Sequence, residues 1–78
     1  MEEDKELYIY IDSEAIAFFI AGALSKKGDR YIDQSLVYSI VKDYSHHKEY
    51  IDEIFRATMS LLEDKYGLLF DVDKEVNI

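Results

Sequence analysis

The sequence contains no cysteine, no proline and no tryptophan, and only three of its 78 residues are glycine. Without cysteine the chain cannot form a disulfide, use a thiolate as a nucleophile or hold zinc through sulfur. Secreted domains of this size usually depend on such cross-links. We therefore expect a cytoplasmic protein.

Basic side chains are also scarce, with 9 Lys and Arg against 17 Asp and Glu and a formal net charge of −8. Direct binding to nucleic acid or to an anionic membrane requires basic side chains, so this balance argues against both. Residues 2–6, which are four acidic residues and Lys5, are the opposite of the basic start of a signal peptide. The longest apolar run, residues 15–24, has ten residues, which is too short to span a bilayer.

The apolar fraction of 49% is too high for a disordered chain. The length predicts one compact domain, residues 1–78, that buries roughly 60% of the surface of the unfolded chain. At this size the stabilisation from burial and the cost of ordering the chain nearly cancel, at roughly 120 kcal/mol each. The stability of an isolated monomer is therefore marginal, and dimerisation would increase it.

The pattern of apolar residues predicts two short strands and three helices. The predicted strands cover residues 7–11 and 68–72. The predicted helices cover residues 13–27, 31–44 and 47–66. We expect residues 1–6 to fray and residues 73–78 to form a tail.

Capping residues and glycines mark the ends of these helices. They are Asp12, Ser13 and Gly28 for the first helix, Asp29 or Asp33 for the second, and Ser45 and Gly67 for the third. The predicted fold is α+β and mostly helical, in the order β-α-α-α-β, with a three-helix core and two short terminal strands side by side. A plain three-helix bundle is the alternative.

The three helices differ in how their apolar residues are distributed. Residues 15–24 are apolar all round, which predicts that the first helix is central and buried on most sides. On the second helix one broad apolar face holds Ile32, Leu36, Val37, Ile40, Val41 and Tyr44. On the third helix one arc at helical spacing holds Ile51, Ile54, Phe55, Thr58, Met59, Leu62 and Tyr66.

Motifs for catalysis or metal binding are missing. The adjacent His46 and His47 point in different directions on a helix, so their spacing does not make a ligand pair. Asp71, Asp73 and Glu75 open like a calcium loop, but Val76 stands where the loop requires glycine. No serine lies in a nucleophile-elbow motif and no glycine-rich phosphate loop is present. We predict a non-enzymatic protein with no cofactor and no metal.

The acidic arc of the third helix is the most specific candidate site. It consists of Glu49, Asp52, Glu53, Glu63 and Asp64. Within it, Asp52 and Arg56 are spaced as an i,i+4 ion pair. A row of carboxylates can dock on a basic groove and occupy a channel that otherwise binds nucleic acid. The same acidity makes this helix a poor recognition helix for DNA.

Seven tyrosines supply a second candidate surface. Tyrosine buries an apolar ring and keeps a polar tip, which suits protein interfaces. Tyr44 and Tyr66 lie on core arcs, where we expect packing. The remaining candidates for a partner or dimer surface are Tyr8 and Tyr10 on the first strand and Tyr31 and Tyr38 on the second helix.

Two functions are compatible with these features. In size, acidity and lack of catalytic motifs, the chain resembles at class level the small inhibitors that phages and mobile elements encode against nucleic-acid enzymes. That resemblance implies docking of the acidic helix on a basic, nucleic-acid-handling protein in the host cytoplasm. The alternative is a homodimeric structural or regulatory interaction domain that uses an apolar and tyrosine surface.

Overall fold

The computed structural model describes the backbone of residues 2–28 and 30–70 and the side chains of residues 4–28 and 30–70. Within this part the chain forms α1 (Glu2–Lys27), β1 (Tyr31–Ile32), α2 (Gln34–Tyr44), a 3-10 turn (Lys48–Tyr50), α3 (Ile51–Asp64) and β2 (Leu69–Phe70). The predicted mostly helical α+β domain, with three helices and a small sheet, is confirmed. Residues 71–78, with the predicted tail and the acidic run 71–75, lie outside the described residues.

The two strands form a short parallel pair, in which Tyr31 faces Leu69 and Ile32 faces Phe70. Parallel strands require a crossover, which α2 and α3 supply here. The pair joins the connection between α1 and α2 to the segment after α3. This sheet distinguishes the fold from the plain three-helix bundle.

The prediction of a strand at Leu7–Ile11 is wrong, because these residues lie within α1. Their β-branched and aromatic side chains favour a strand only weakly. Acidic residues 2–6 favour a helix N-terminus, and neither proline nor glycine interrupts the chain before Gly22. The helix therefore starts ahead of the predicted strand, and residues 2–6, expected to fray, are helical. The first strand lies between α1 and α2 instead.

The helix ends follow the predicted signals more closely. Gly28 and Gly67 have φ values of 78° and 68°, the left-handed conformation that glycine adopts without strain. Asp33 caps α2 by accepting a hydrogen bond from the Ser35 backbone N–H at 3.0 Å. Ser45 is the C-terminal cap of α2 and not the N-cap of the third helix.

The core lies between α1 and α3, which share the most extensive contact in the fold, with α2 packed against both. Ile54, Thr58 and Leu62 of α3 are fully buried, as the helical spacing predicts. The Thr58 hydroxyl donates a hydrogen bond to the Ile54 carbonyl at 2.7 Å, so its burial leaves no unpaired polar group. The other buried apolar residues are Ile16, Ala17, Ile20, Ile32, Val37, Val41 and Leu68.

The expectation that α1 is buried on most sides is wrong. Ile16, Ala17 and Ile20 face the core, but Phe18 and Phe19 are 70% and 56% exposed. A three-helix domain covers only one side of a helix that is apolar all round. By length and composition alone, α1 is also long and apolar enough to cross a membrane, because an 18-residue window within Asp4–Lys27 has a mean hydropathy of 1.5. The ten-residue limit inferred from the sequence therefore does not hold.

Candidate functional site

The Asp12 carboxylate is the centre of the principal polar cluster. It lies in the middle of α1 and is only 3% exposed. Its Oδ2 accepts hydrogen bonds from the Ser45 hydroxyl at 2.8 Å and from the His46 backbone N–H at 2.9 Å. The His47 Nδ1 lies 3.3 Å from the same oxygen. One buried acid on α1 therefore contacts three consecutive residues, 45–47, of the junction between α2 and α3.

The hydrogen bonds explain how a buried carboxylate stays ionised. Burial alone raises the pKa of Asp12, but the bonds from Ser45, from the His46 backbone and from His47 outweigh it. The net effect is a pKa below the ordinary value of 3.8. Hydrogen bonds to the charged form of a carboxylate stabilise that form. The cluster therefore stabilises the folded state at every pH at which Asp12 is ionised.

The two histidines contribute to this cluster in different ways. The His47 ring stacks on Tyr8, with centroids 4.1 Å apart and planes 9° from parallel. The His47 backbone N–H donates to the Ser45 hydroxyl at 3.1 Å. The His46 ring is largely exposed, with its Nδ1 at 3.6 Å from the second carboxylate oxygen of Asp12. His47 is therefore fixed by packing, whereas His46 reaches into solvent.

Serine, histidine and aspartate are thus neighbours, but their arrangement is not that of an acyl-transfer triad. In a triad the serine hydroxyl bonds to the histidine base and the acid orients that histidine. Here the Ser45 hydroxyl donates to Asp12 directly, so its proton is directed away from both histidine rings. The geometry is that of a helix cap at the junction between α2 and α3. It holds the backbone of residues 45–47 in place against α1.

Metal binding also lacks a suitable cluster in the part of the chain that the structure describes. Residues 4–28 and 30–70 contain no group of three or more His, Asp or Glu side chains placed to hold an ion. The residues nearest to such a group are Asp12, His46 and His47. Both rings direct Nδ1 toward the carboxylate, and that of His47 is within hydrogen-bonding distance of it.

A shallow apolar groove runs between α1 and α2 beside this cluster. It encloses about 280 Å³ and is lined by Asp12, Ala15, Ile16, Phe19, Ile40, Tyr44 and His46. Tyr44 was expected in the core, but it is 60% exposed, with its ring 5.8 Å from that of Phe19. Packing between α1 and α2 is therefore incomplete on this side.

The side of α1 that turns away from the core is apolar and exposed. We call this surface the outer face of α1 and define it as Leu7, Ile11, Ala15, Phe18 and Gly22, all exposed. Their spacings of four and three residues place them on one stripe of the helix. Phe19 lies at the border between the outer face and the groove. The sequence did not single out this stripe, because α1 is apolar all round and has no pattern that tells the covered side from the open one.

The predicted acidic residues lie on and just ahead of α3, on the side away from the core. Glu49, Asp52, Glu63 and Asp64 are exposed, and Glu53 is half-buried. Within the described part of the chain, Glu53 also differs from the other four in forming an ion pair, because its carboxylate lies 3.2 Å from the Lys5 ammonium of α1. The hydrogen bond of its own backbone N–H, followed by that from Lys5, lowers the pKa of Glu53.

Ion pairing differs from the sequence-based expectation. Among the described residues, Asp52 and Arg56 do not form an ion pair within 4.0 Å, whereas Lys65 of the α3 end pairs with Glu14 of α1 at 3.2 Å. The Glu14 carboxylate raises the pKa of Lys65. The Lys5–Glu53 and Lys65–Glu14 pairs both connect α1 to the third-helix region.

The four candidate tyrosines do not form one surface. Tyr8 and Tyr10 were expected on the same face of a strand, but in a helix two residues apart they point to different sides. Tyr8 stacks on His47, and Tyr10 is exposed. Tyr31 is exposed on β1, and Tyr38 contacts the edge of Phe55 at a centroid distance of 5.3 Å. Tyr66, expected to pack, is half-buried against the core.

Comparison with known proteins gives no relative from which a role could be transferred. No family model matches the chain, and neither the curated proteins nor the solved structures contain a match.

Proposed function

We propose that this chain is a non-enzymatic protein-interaction domain whose contact surface is the outer face of α1. The supporting observation is the exposure of Leu7, Ile11 and Phe18 along one stripe of the helix. Scattered exposed apolar residues are ordinary, but a contiguous apolar patch on a small domain is typical of an interaction site.

The size of the patch supports this proposal. Leu7, Ile11, Phe18 and Phe19 are each exposed over half or more of their surface. An aromatic side chain has roughly 150–250 Å². With leucine and isoleucine taken at the lower end of that range, these four side chains expose roughly 400 Å². That is as large as the largest patch on a typical monomer, and it lies on a protein of only 78 residues.

The absence of cysteine makes a direct test simple. Ser25→Cys at the edge of the outer face, labelled with a benzophenone, places one photo-crosslinker beside the patch without removing an apolar residue. Ser60→Cys, exposed on α3, is the matched control. In a lysate of the source cell we expect protein adducts from position 25 that are absent from position 60. Adducts that persist when Ile11 and Phe18 are changed to Gln, or no adducts, would contradict the proposal.

A second candidate function is supported by the acidic residues. Glu49, Asp52, Glu63 and Asp64 are exposed, and none lies within 4.0 Å of a basic group among the described residues. We propose, as this second function, an inhibitor of the phage or mobile-element type that docks this surface on a basic, nucleic-acid-handling protein in the cytoplasm. Carboxylates that are not neutralised by an ion pair within the protein attract a basic partner more strongly.

Charge reversal tests the second candidate. Asp52→Lys with Glu63→Lys should abolish capture of a basic partner and leave the fold intact, because both side chains are exposed. Capture by the unmodified chain should weaken steeply between 50 and 300 mM salt, since association is steered by charge. Ser60→Gln, on the same side of α3, is the neutral control. Binding that resists both salt and charge reversal would exclude this function.

A further inference from the structure

We propose that the occupant of the outer face of α1 is the same face of a second copy, paired antiparallel about a two-fold axis near Ala15. This inference rests on the proposed function, because it names the partner for the surface assigned there. Three features of α1 support the dimer: the charges at its two ends, the position of Gly22 and the apolar area that remains exposed on the helix.

The charges at the two ends of α1 are opposite. The helix begins with acidic residues and ends with Lys26 and Lys27. Asp4 and Lys26 both lie on the outer-face side of the helix by their spacing from Ile11 and Phe18, and both are exposed. Antiparallel pairing places Asp4 opposite the partner's Ser25, next to the partner's Lys26, and also aligns the helix dipoles favourably. Parallel pairing would place like charges together at each end.

The shapes of the side chains agree with the same register. With the axis between Glu14 and Ala15, Ile11 lies opposite the partner's Phe18. Leu7 then lies opposite the partner's Gly22, so that a large side chain meets a residue without one. A two-fold interface of this kind is self-complementary and closes at two copies.

Gly22 has no explanation within the chain itself. A Cβ added there would meet no atom within 4 Å, so neither crowding nor a close internal neighbour requires glycine. Glycine is the least favoured residue of a helix interior other than proline. A glycine at an exposed helical position leaves room for a large side chain of a second molecule, here the partner's Leu7, to approach closely.

The exposed area is sufficient for a weak dimer. The three large side chains of the outer face, together with Phe19 at its border, expose roughly 400 Å² per copy, and Ala15, Gly22 and the flanking aliphatic stems add to it. Two copies would then bury about 1,000 Å², the lower limit for a specific interface. We therefore expect a dissociation constant in the micromolar range.

A lipid bilayer fits the same surface less well. To cross a membrane, α1 would have to leave the core at Ile16 and Ala17 and break the hydrogen bonds of Asp12 to the α2–α3 junction. To lie flat on an anionic membrane it would require a basic border, but the chain has a net charge of −8.

Sedimentation equilibrium of the purified full chain from 1 µM to 1 mM tests the dimer. We expect a monomer–dimer equilibrium for the unmodified chain and a monomer throughout for Phe18→Glu. Leu69→Gln, which removes an exposed apolar side chain from β2, should dimerise normally. Circular dichroism of each variant shows that the fold is retained, and Ile11→Gln serves as a second outer-face variant if Phe18→Glu fails to fold.

Two variants test the antiparallel register. Ala15→Cys should form an intermolecular disulfide rapidly on mild oxidation, because position 15 lies at the axis, whereas Ser60→Cys should not. Asp4→Lys and Lys26→Asp should each weaken dimerisation two- to five-fold, and the double variant should restore it. Failure of the double variant to restore dimerisation would overturn the antiparallel arrangement.

The possible failures are distinguishable. A monomer at 1 mM overturns the dimer, and adducts from position 25 to a different protein would then leave the proposed function in place. A monomer without such adducts overturns both. Co-sedimentation with vesicles of three parts phosphatidylcholine to one part phosphatidylglycerol, lost in Phe18→Glu, would assign the outer face to lipid and also overturn both.

Discussion

At the scale of single residues, Asp12 joins two segments that are distant in the sequence. Its carboxylate accepts hydrogen bonds from Ser45 and from the His46 backbone, more than thirty residues away in sequence. A buried carboxylate that is fully hydrogen-bonded specifies one arrangement of the groups around it. Asp12, together with the stack of Tyr8 on His47, therefore fixes the position of the α2–α3 junction relative to α1.

Truncation of this side chain should be among the most damaging changes in the protein. Asp12→Ala leaves the Ser45 hydroxyl and the His46 N–H without their acceptor, and we expect the free energy of unfolding to fall by about 2–4 kcal/mol. Asp12→Asn keeps one acceptor oxygen and should lose about 1–2 kcal/mol. Urea denaturation followed by circular dichroism measures both, and an Asp12→Ala protein as stable as the unmodified chain would refute this role.

The same residue predicts a dependence on pH. The pKa of Asp12 in the folded protein is below its ordinary value of 3.8, so the unfolded chain takes up this proton first as the pH falls. Its contribution is therefore complete above about pH 4 and is lost as the pH falls through the folded pKa. The difference in unfolding free energy between the unmodified chain and Asp12→Asn should shrink between pH 4 and pH 2. His46 and His47, which face Asp12, are unchanged in that comparison.

The role of Asp12 could not be predicted from the sequence. An acidic residue followed by serine ahead of an apolar run is typical of a helix N-cap, and that local signal led to the wrong assignment. Its true partners belong to the α2–α3 junction, and only the tertiary fold brings them within reach. The proximity of His47 and Tyr8 depends on the same long-range contact.

At the scale of elements, predictability depends on the strength of the apolar pattern. The core arc of α3 was predicted correctly, because Ile54, Thr58 and Leu62 recur at helical spacing against an acidic opposite side. The ends at Gly28 and Gly67 were also predicted, since a left-handed glycine stops a helix for local reasons. In α1 both signals fail, because apolar residues surround the helix and no glycine or proline separates Leu7–Ile11 from the middle of the helix.

Two glycines should respond in opposite directions to the same substitution. Gly22 is in the helical conformation within α1, so Gly22→Ala should stabilise the monomer by about 0.5–1 kcal/mol. Gly67 has a φ of 68°, where a Cβ is strained, so Gly67→Ala should destabilise by about 1 kcal/mol. Neither added methyl meets an atom within 4 Å. Thermal unfolding at low micromolar concentration compares them, and equal signs would contradict the backbone argument.

At the scale of the whole molecule, the excess of acidic charge opposes compaction. Each acid-to-lysine reversal adds two units, so Glu63→Lys with Asp64→Lys changes the net charge from −8 to −4. Both side chains are exposed and outside the ion pairs of the described residues. We expect the unfolding free energy to stay within about 0.5 kcal/mol or to rise, because self-repulsion falls.

Glu53→Lys provides the contrast in the same measurement. This reversal breaks the pair with Lys5 and places two ammonium groups together between α1 and α3, so stability should fall despite the lower net charge. The contrast should diminish at 0.5 M salt, where exposed charges are screened. A stabilising Glu53→Lys would show that the Lys5 contact is unimportant.

The dominance of the α1–α3 contact has a consequence for the synthesis of the protein. α1 leaves the ribosome before α3, which covers most of its buried side. Until α3 emerges, the nascent chain carries a 26-residue helix-forming segment with apolar side chains on every side and little to pack against. Formation of the core therefore waits on the synthesis of α3, and during that interval the segment is a substrate for chaperones that bind exposed apolar sequence.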